Sequence, residues 1–282
     1  MAPIEAAPHR NWGTMSRKAR NLAYNNSAAV ADSPALNEAR IAASRAFRAR
    51  HTGALGLRYG ERERNLWDIY PAGQPGAPCL VFIHGGYWQR NRHEEFACLA
   101  EGVLARGWSC AMPGYTLAPD ISFGGIVAEI DMALDFLAAQ GAEHGVTGPV
   151  ILSGWSAGGH LAAACFGHSR VTAGIAISGV FELGPLRDTY LDENLHLSDQ
   201  EIETFSPLRR PPVQKPLAIA YGSREVPALV EDSRALHRHR AAHHAPGPLM
   251  PVAGANHFTI LDELRAPDGD LVRLAMMMVP GT

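Results

Sequence analysis

The chain has 282 residues, 46% of them hydrophobic and 19% charged, with a formal net charge of −3. That length suits one large α/β domain or two small ones, and the charge gives no electrostatic case for nucleic acid or an anionic membrane. No run approaches the ~18 consecutive apolar residues of a membrane span. Met1-Ala2-Pro3-Ile4-Glu5 lacks the charged and apolar regions of a secretory signal. Four cysteines, Cys79, Cys98, Cys110 and Cys165, show no C-x-x-C spacing, so a cytoplasmic location is expected.

In chain order, residues 1–60 form an extension before the first clear strand. Asp32-Ser33-Pro34 reads as a helix start, with Ser33 as cap and Pro34 at the first helical position, and the helix runs to Arg50. It suits either a surface helix or a lid. Strands are expected at Asn65–Tyr70, Cys79–Ile83 and Trp108–Met112, with a helix from Glu94 to Arg106 before the third. Phe123–Gln140 carries a helical apolar stripe. Val150–Ser153 is a strand buried on both faces, and Leu161–Phe166 suits a packed helix. Val171–Ser178 is the next strand. The strand pattern then lapses from Gly179 to Pro212, with a short helix at Ser198–Phe205 capped by Ser198 and Glu201. So long a connection reads as a cap. Leu217–Tyr221 (strand), Pro227–His243 (helix), Leu249–Val252 (strand) and Asp268–Met278 (helix) finish the chain. This alternation argues for a single domain with a mostly parallel central sheet covered by helices, the 1–60 extension and the 180–212 insertion forming a small cap.

Between the strand and the packed helix stands Gly154-Trp155-Ser156-Ala157-Gly158, a G-x-S-x-G match. A strand turning at once into a helix pushes the serine out of the sheet and crowds the positions two before and two after it, hence the glycines. Ser156 is the candidate nucleophile, and it needs a base oriented by a carboxylate. With the chain order serine, acid, histidine, His257 just after the last strand is the base. Glu225, three residues past Gly222, is the acid, with Asp232 as runner-up. The Ala157 N–H and the loop His84-Gly85-Gly86 should supply oxyanion donors, with Gly85 and Gly86 as the candidates there. Tyr87, Trp88, Tyr115 and Trp155 are candidates for an aromatic substrate pocket. His237, His239, His243 and His244 cluster on one helix without a completing ligand, so they read as a solvated face, and no metal or other cofactor is expected.

With His84-Gly85-Gly86-Tyr87-Trp88, Gly154 to Leu161 and His257-Phe258 in hand, the sequence resembles the α/β-hydrolase superfamily. It is most similar to the kynurenine formamidase (arylformamidase) group, whose signature is H-G-G-x-W. Tyr24-Asn25-Asn26 to Pro34 also resembles that group's N-terminal region. The resemblance implies a cofactor-free serine hydrolase cleaving an aryl formamide, N-formyl-L-kynurenine first among them. Two departures stand out. Many relatives carry Asp where this chain has Glu225, and many bacterial relatives carry His where it has Trp155. The rival readings are a carboxylesterase for small aryl or short-acyl esters, which would use the same residues, and a non-catalytic binding protein on the same fold, against which the complete Ser156, Glu225, His257 set argues. The expected partner is a small aryl amide or ester, with a homodimer left open.

Overall fold

The structure, a computed structural model, describes residues 12–279. Three helices open it: α1 (Arg17–Ala23), α2 (Asn26–Ala29) and α3 (Ser33–Arg50). The strands β1 (Ala54–Arg58), β2 (Leu66–Tyr70) and β3 (Cys79–Ile83) follow. Then α4 (Ala100–Leu104), β4 (Ser109–Pro113), α5 (Phe123–Gln140), β5 (Val150–Trp155), α6 (Ala157–Ala164) and β6 (Val171–Ile177) alternate. Helices α7 (Asp192–Leu195) and α8 (Asp199–Phe205) precede β7 (Leu217–Gly222). The chain closes with α9 (Pro227–Ala242), β8 (Leu249–Val252), α10 (Asp262–Arg265) and α11 (Asp270–Met277).

The eight strands form one sheet in the order β1-β2-β4-β3-β5-β6-β7-β8. The β1–β2 and β2–β4 pairs are antiparallel and the other five are parallel. The period-2 alternation of a strand divides each central strand between two apolar layers. Cys79, Val81 and Ile83 of β3 face one layer with α5, α6 and α9, while Leu80 and Phe82 face the other with α3, α4 and α11. Fully burying such a side chain stabilises the fold by about 1.5–3 kcal/mol. The chain leaves β3 toward β4 on one side and returns to β5 on the other. The sheet therefore has its switch point between β3 and β5, and the crevice beyond their carboxyl ends is where open α/β sheets place ligands.

Three local expectations change. β1 escapes the pattern because it is a short edge strand with a register shift between Leu55 and Leu57 at Gly56, whose φ is +69°. The helix expected over Glu94–Arg106 is instead a 3-10 helix, His93–Leu99, followed by α4. At the start of α3, Ser33 does not cap. It is the first helical residue, and its hydroxyl donates to the carbonyl of Ser27 (3.1 Å). Helix α3 packs on the outside: Ser44 and Arg40 donate to the carbonyl of Glu95 at 2.9 and 3.2 Å. The segment that reaches the crevice is α1–α2. Among the described residues, no helix is long and apolar enough to cross a membrane.

Candidate active site

Ser156 joins β5 to α6 with φ 57° and ψ −121°, a strained conformation for a residue with a side chain. Its N–H donates to the carbonyl of Ile177 at 2.8 Å, which fixes the bend against β6. A Cβ on Gly154 would run into the carbonyl of Gly158, and one on Gly158 into the carbonyl of Ile83, so both positions exclude any other residue. The Ala157 N–H begins α6, where no intrahelical carbonyl can accept it.

His257 follows β8, and its Nε2 lies 3.1 Å from Ser156 Oγ. Its Nδ1 lies 2.8 Å from Glu225 Oε2. A carboxylate only accepts, so Nδ1 carries the proton and Nε2 is free to accept from the serine. Glu225 Oε1 accepts from the Gly222 N–H (2.7 Å) and from the Ser178 hydroxyl. One carboxylate thus bonds its own turn and the histidine together. Ser156, His257 and Glu225 are all buried, the first two only 2% and 4% exposed. Asp232 sits apart in α9, where it accepts from the Phe181 N–H at 3.3 Å. Ser178, which stands directly after β6 with φ 51°, belongs to no sequence motif.

The loop after β3 runs beside Ser156. A Cβ on Gly85 would stand 2.9 Å from Ser156 Cβ, and Gly86 has φ +124°. Tyr87 and Trp88 continue in the left-handed region at 52° and 58°. Strain of this kind gathers where a site overdetermines the backbone.

The four aromatic candidates divide. Trp88 is buried edge-on to Phe123 and His160, with centroids 5.0 and 5.2 Å away. Tyr115 is buried with its ring stacked on His84 at 4.3 Å. Trp155 lies against His257, centroids 4.8 Å apart, and its Nε1 donates to the His257 carbonyl at 2.7 Å. These three are buried packing rather than pocket lining, and Trp155 holds His257 in place. Tyr87 alone of the four is half-buried at the crevice. Its hydroxyl donates to the Tyr24 carbonyl and accepts from Asn26 Nδ2 (2.9 Å). Asn21 Oδ1 accepts from the Tyr190 N–H (3.1 Å), and Arg17 pairs with Glu193 at 2.8 Å, so α1–α2 straps the 180–212 segment to the loop of Tyr87.

In the histidine group of α9, His239 Nε2 is 2.8 Å from the Arg210 carbonyl and His243 Nδ1 is 2.8 Å from the His239 carbonyl. Among the described residues no three His, Cys, Asp or Glu side chains converge as metal ligands would.

Two other histidines set an acid limit. Burial pushes His84 down to about 3 and His160 down to about 4. In the unfolded chain both titrate near 6.5. As pH falls below that value the unfolded state binds these protons first, so native stability is lost, by up to about 1.4 kcal/mol per pH unit for each group. Urea midpoints at pH 7.5 and pH 5 should differ accordingly, and His160→Gln should shrink the difference by its own share while His84 keeps the rest. Equal midpoints for the wild type would refute this.

The fold and site place the chain among the α/β-hydrolases, as a hydrolase. Comparison with known proteins agrees. A family model described as BD-FAE matches residues 67–177. The kynurenine formamidase of Danio rerio is 23% identical over 300 residues, covering 95% of this chain and 98% of that one. The crystal structure of a protein from Silicibacter sp. TM1040 superposes with a TM-score of 0.81 at 28% identity, over 91% of this chain and 98% of that one. Esterase B of Lactobacillus rhamnosis, in an inhibited form, shares the fold with a TM-score of 0.67 at 21% identity, over 89% and 94%. The chain is kynurenine formamidase-like.

Proposed function

We propose that the protein hydrolyses an aryl formamide, N-formyl-L-kynurenine first among candidates, to the aryl amine and formate. The observation that carries the mechanism is the unbroken chain from Ser156 Oγ through His257 to Glu225. Ser156 Oγ attacks the formyl carbon and its proton passes to His257 Nε2. The oxyanion is held by the Gly86 and Ala157 N–H groups, with Gly85 allowing the close approach. The C–N bond then breaks as His257 returns the proton to the departing amine. Water, deprotonated by His257, cleaves the formyl ester and releases formate.

Two features support a small acyl group and a large leaving group. Ser156 and His257 are almost wholly covered, which suits the smallest acyl group. Arg90, on the oxyanion loop, is exposed and makes no hydrogen bond or ion pair among the described residues. An exposed guanidinium on this loop suits a carboxylate such as that of formylkynurenine. The similarity to a named kynurenine formamidase points the same way.

The test is an acyl series of formyl, acetyl and butyryl on one fixed aryl leaving group. Catalytic efficiency should fall by roughly 10- to 200-fold at each step, the discrimination a tight pocket achieves against added carbons. A flat profile, or a maximum at butyryl, would replace this reading with a carboxylesterase.

A further inference from the structure

We propose that Asn91 is a positioning residue that aims the Gly86 N–H at the oxyanion. This rests on the acyl-transfer reading given above. The peptide joining Gly85 to Gly86 is planar and trans, so its C=O and N–H point in opposite directions. A glycine on each side makes rotation of that peptide sterically cheap. Rotated, it would present a carbonyl oxygen where a donor is needed. Something must therefore hold the carbonyl.

Two donors do so. Asn91 Nδ2 lies 3.0 Å from the Gly85 oxygen, and His84 Nδ1 lies 2.9 Å from it. The His84 ring is buried and neutral, so its Nδ1 proton is committed to that carbonyl. It is fixed by stacking on Tyr115 and Phe96, and the Tyr115 hydroxyl donates to the His84 carbonyl at 3.0 Å. Asn91 is fixed as firmly. Its φ of 71° is one that asparagine tolerates better than most residues. Its carbonyl accepts from Arg64, whose Nε also donates to the Tyr115 carbonyl at 2.8 Å. With the carbonyl gripped from one side, the Gly86 N–H points the other way, and no acceptor for it exists among the described residues. Asn91 Nδ2 also occupies the space a Gly86 side chain would need, since a Cβ there would lie 2.8 Å from it.

The Asn91 contact is the more informative of the two to remove, because His84 is also a core ring. Asn91→Asp keeps the shape and the backbone preference but replaces the donor with an acceptor facing the carbonyl. Asn91→Gly keeps the left-handed backbone and removes the side chain. On an aryl ester, Asn91→Asp should lower kcat by roughly 10²-fold, as loss of an oxyanion donor does, with KM changed by less than about threefold. Asn91→Gly should lower kcat about 10-fold, being a weakened rather than reversed grip. An aryl boronic acid, which forms a tetrahedral anion on the serine, should lose affinity by the same factors. The aryl amine product, which makes no oxyanion, should bind as before.

The inference is overturned if both variants keep kcat and boronate affinity within twofold of wild type. It is also overturned if kcat falls while boronate affinity is kept, or if both variants fail to fold, since Asn91 would then be structural. Wild-type protein that neither turns over aryl esters and formamides nor binds the boronate would overturn the acyl-transfer reading, and this inference with it. Wild-type turnover with indifferent variants overturns this inference alone.

Discussion

Ser156→Ala should lose turnover by roughly 10⁴- to 10⁶-fold, the scale of removing a serine nucleophile from a site of this kind. The hydroxyl makes one side-chain hydrogen bond, to His257. Its removal leaves the bend intact, because that bend is held by backbone: the Ser156 N–H on Ile177 and the Ser156 carbonyl accepting from His160 at 3.0 Å. Alanine occupies the same left-handed φ with no more strain than serine, and Gly154 and Gly158 still give the room. The variant should therefore unfold at nearly the wild-type temperature. The measurement is kcat on the best aryl formamide or ester alongside the thermal midpoint. Retention of even a tenth of the activity would end the serine-nucleophile reading, and a fluorophosphonate that labels wild type but not the variant would support it independently.

The parts of this site that are legible in the sequence are those written by local pattern. A buried strand followed at once by G-x-S-x-G and a packed helix admits one geometry, so Ser156 is found by its surroundings. His257 and Glu225 are found because each stands just past a β-strand on a parallel sheet, and all such carboxyl ends meet along one crevice. What is not legible depends on the direction of side chains between elements distant in sequence. Ser178 is an ordinary serine until β6 and β7 pair and bring it to Glu225. Asn91 is recognisable only from its backbone angle and its bond to Gly85. The aromatic residues beside the motifs err in the other direction. Composition puts Trp88, Tyr115 and Trp155 near the chemistry, and they are near it, but they are buried behind it as packing. The N-terminal strap is hidden for a similar reason: α1 and α2 are too short to declare a helical face. Their contacts with Tyr87 and Tyr190 are made through polar groups rather than an apolar stripe.

Glu225→Gln should lower kcat by roughly 10⁴-fold, although the side chain keeps its size and loses only its charge. The reason lies in what already surrounds the carboxylate. Oε1 receives two donors, the Gly222 N–H and the Ser178 hydroxyl, and Oε2 receives the His257 Nδ1 proton. A glutamine has one oxygen to distribute. Set at the first position, that oxygen satisfies the backbone N–H, which has no alternative, and turns the amide NH₂ toward His257. Nδ1 must then give up its proton and accept, so the proton moves to Nε2, which faces the serine. In that tautomer the ring cannot take the Ser156 proton, and the missing negative charge no longer stabilises the imidazolium. The opposite amide orientation would keep the histidine correct but place an NH₂ against the Gly222 N–H in a buried site, at a cost of about 1–3 kcal/mol for the unsatisfied donors. The Ser178 hydroxyl can rotate to accept, so Ser178→Ala combined with Glu225→Gln should not restore activity, whereas the backbone N–H cannot adapt. The measurement is kcat against pH for Glu225→Gln beside Asp232→Asn. A profile that stays depressed at every pH supports the tautomer argument. A large loss in Asp232→Asn with little in Glu225→Gln would transfer the role to Asp232 and contradict the 2.8 Å contact between Glu225 and His257.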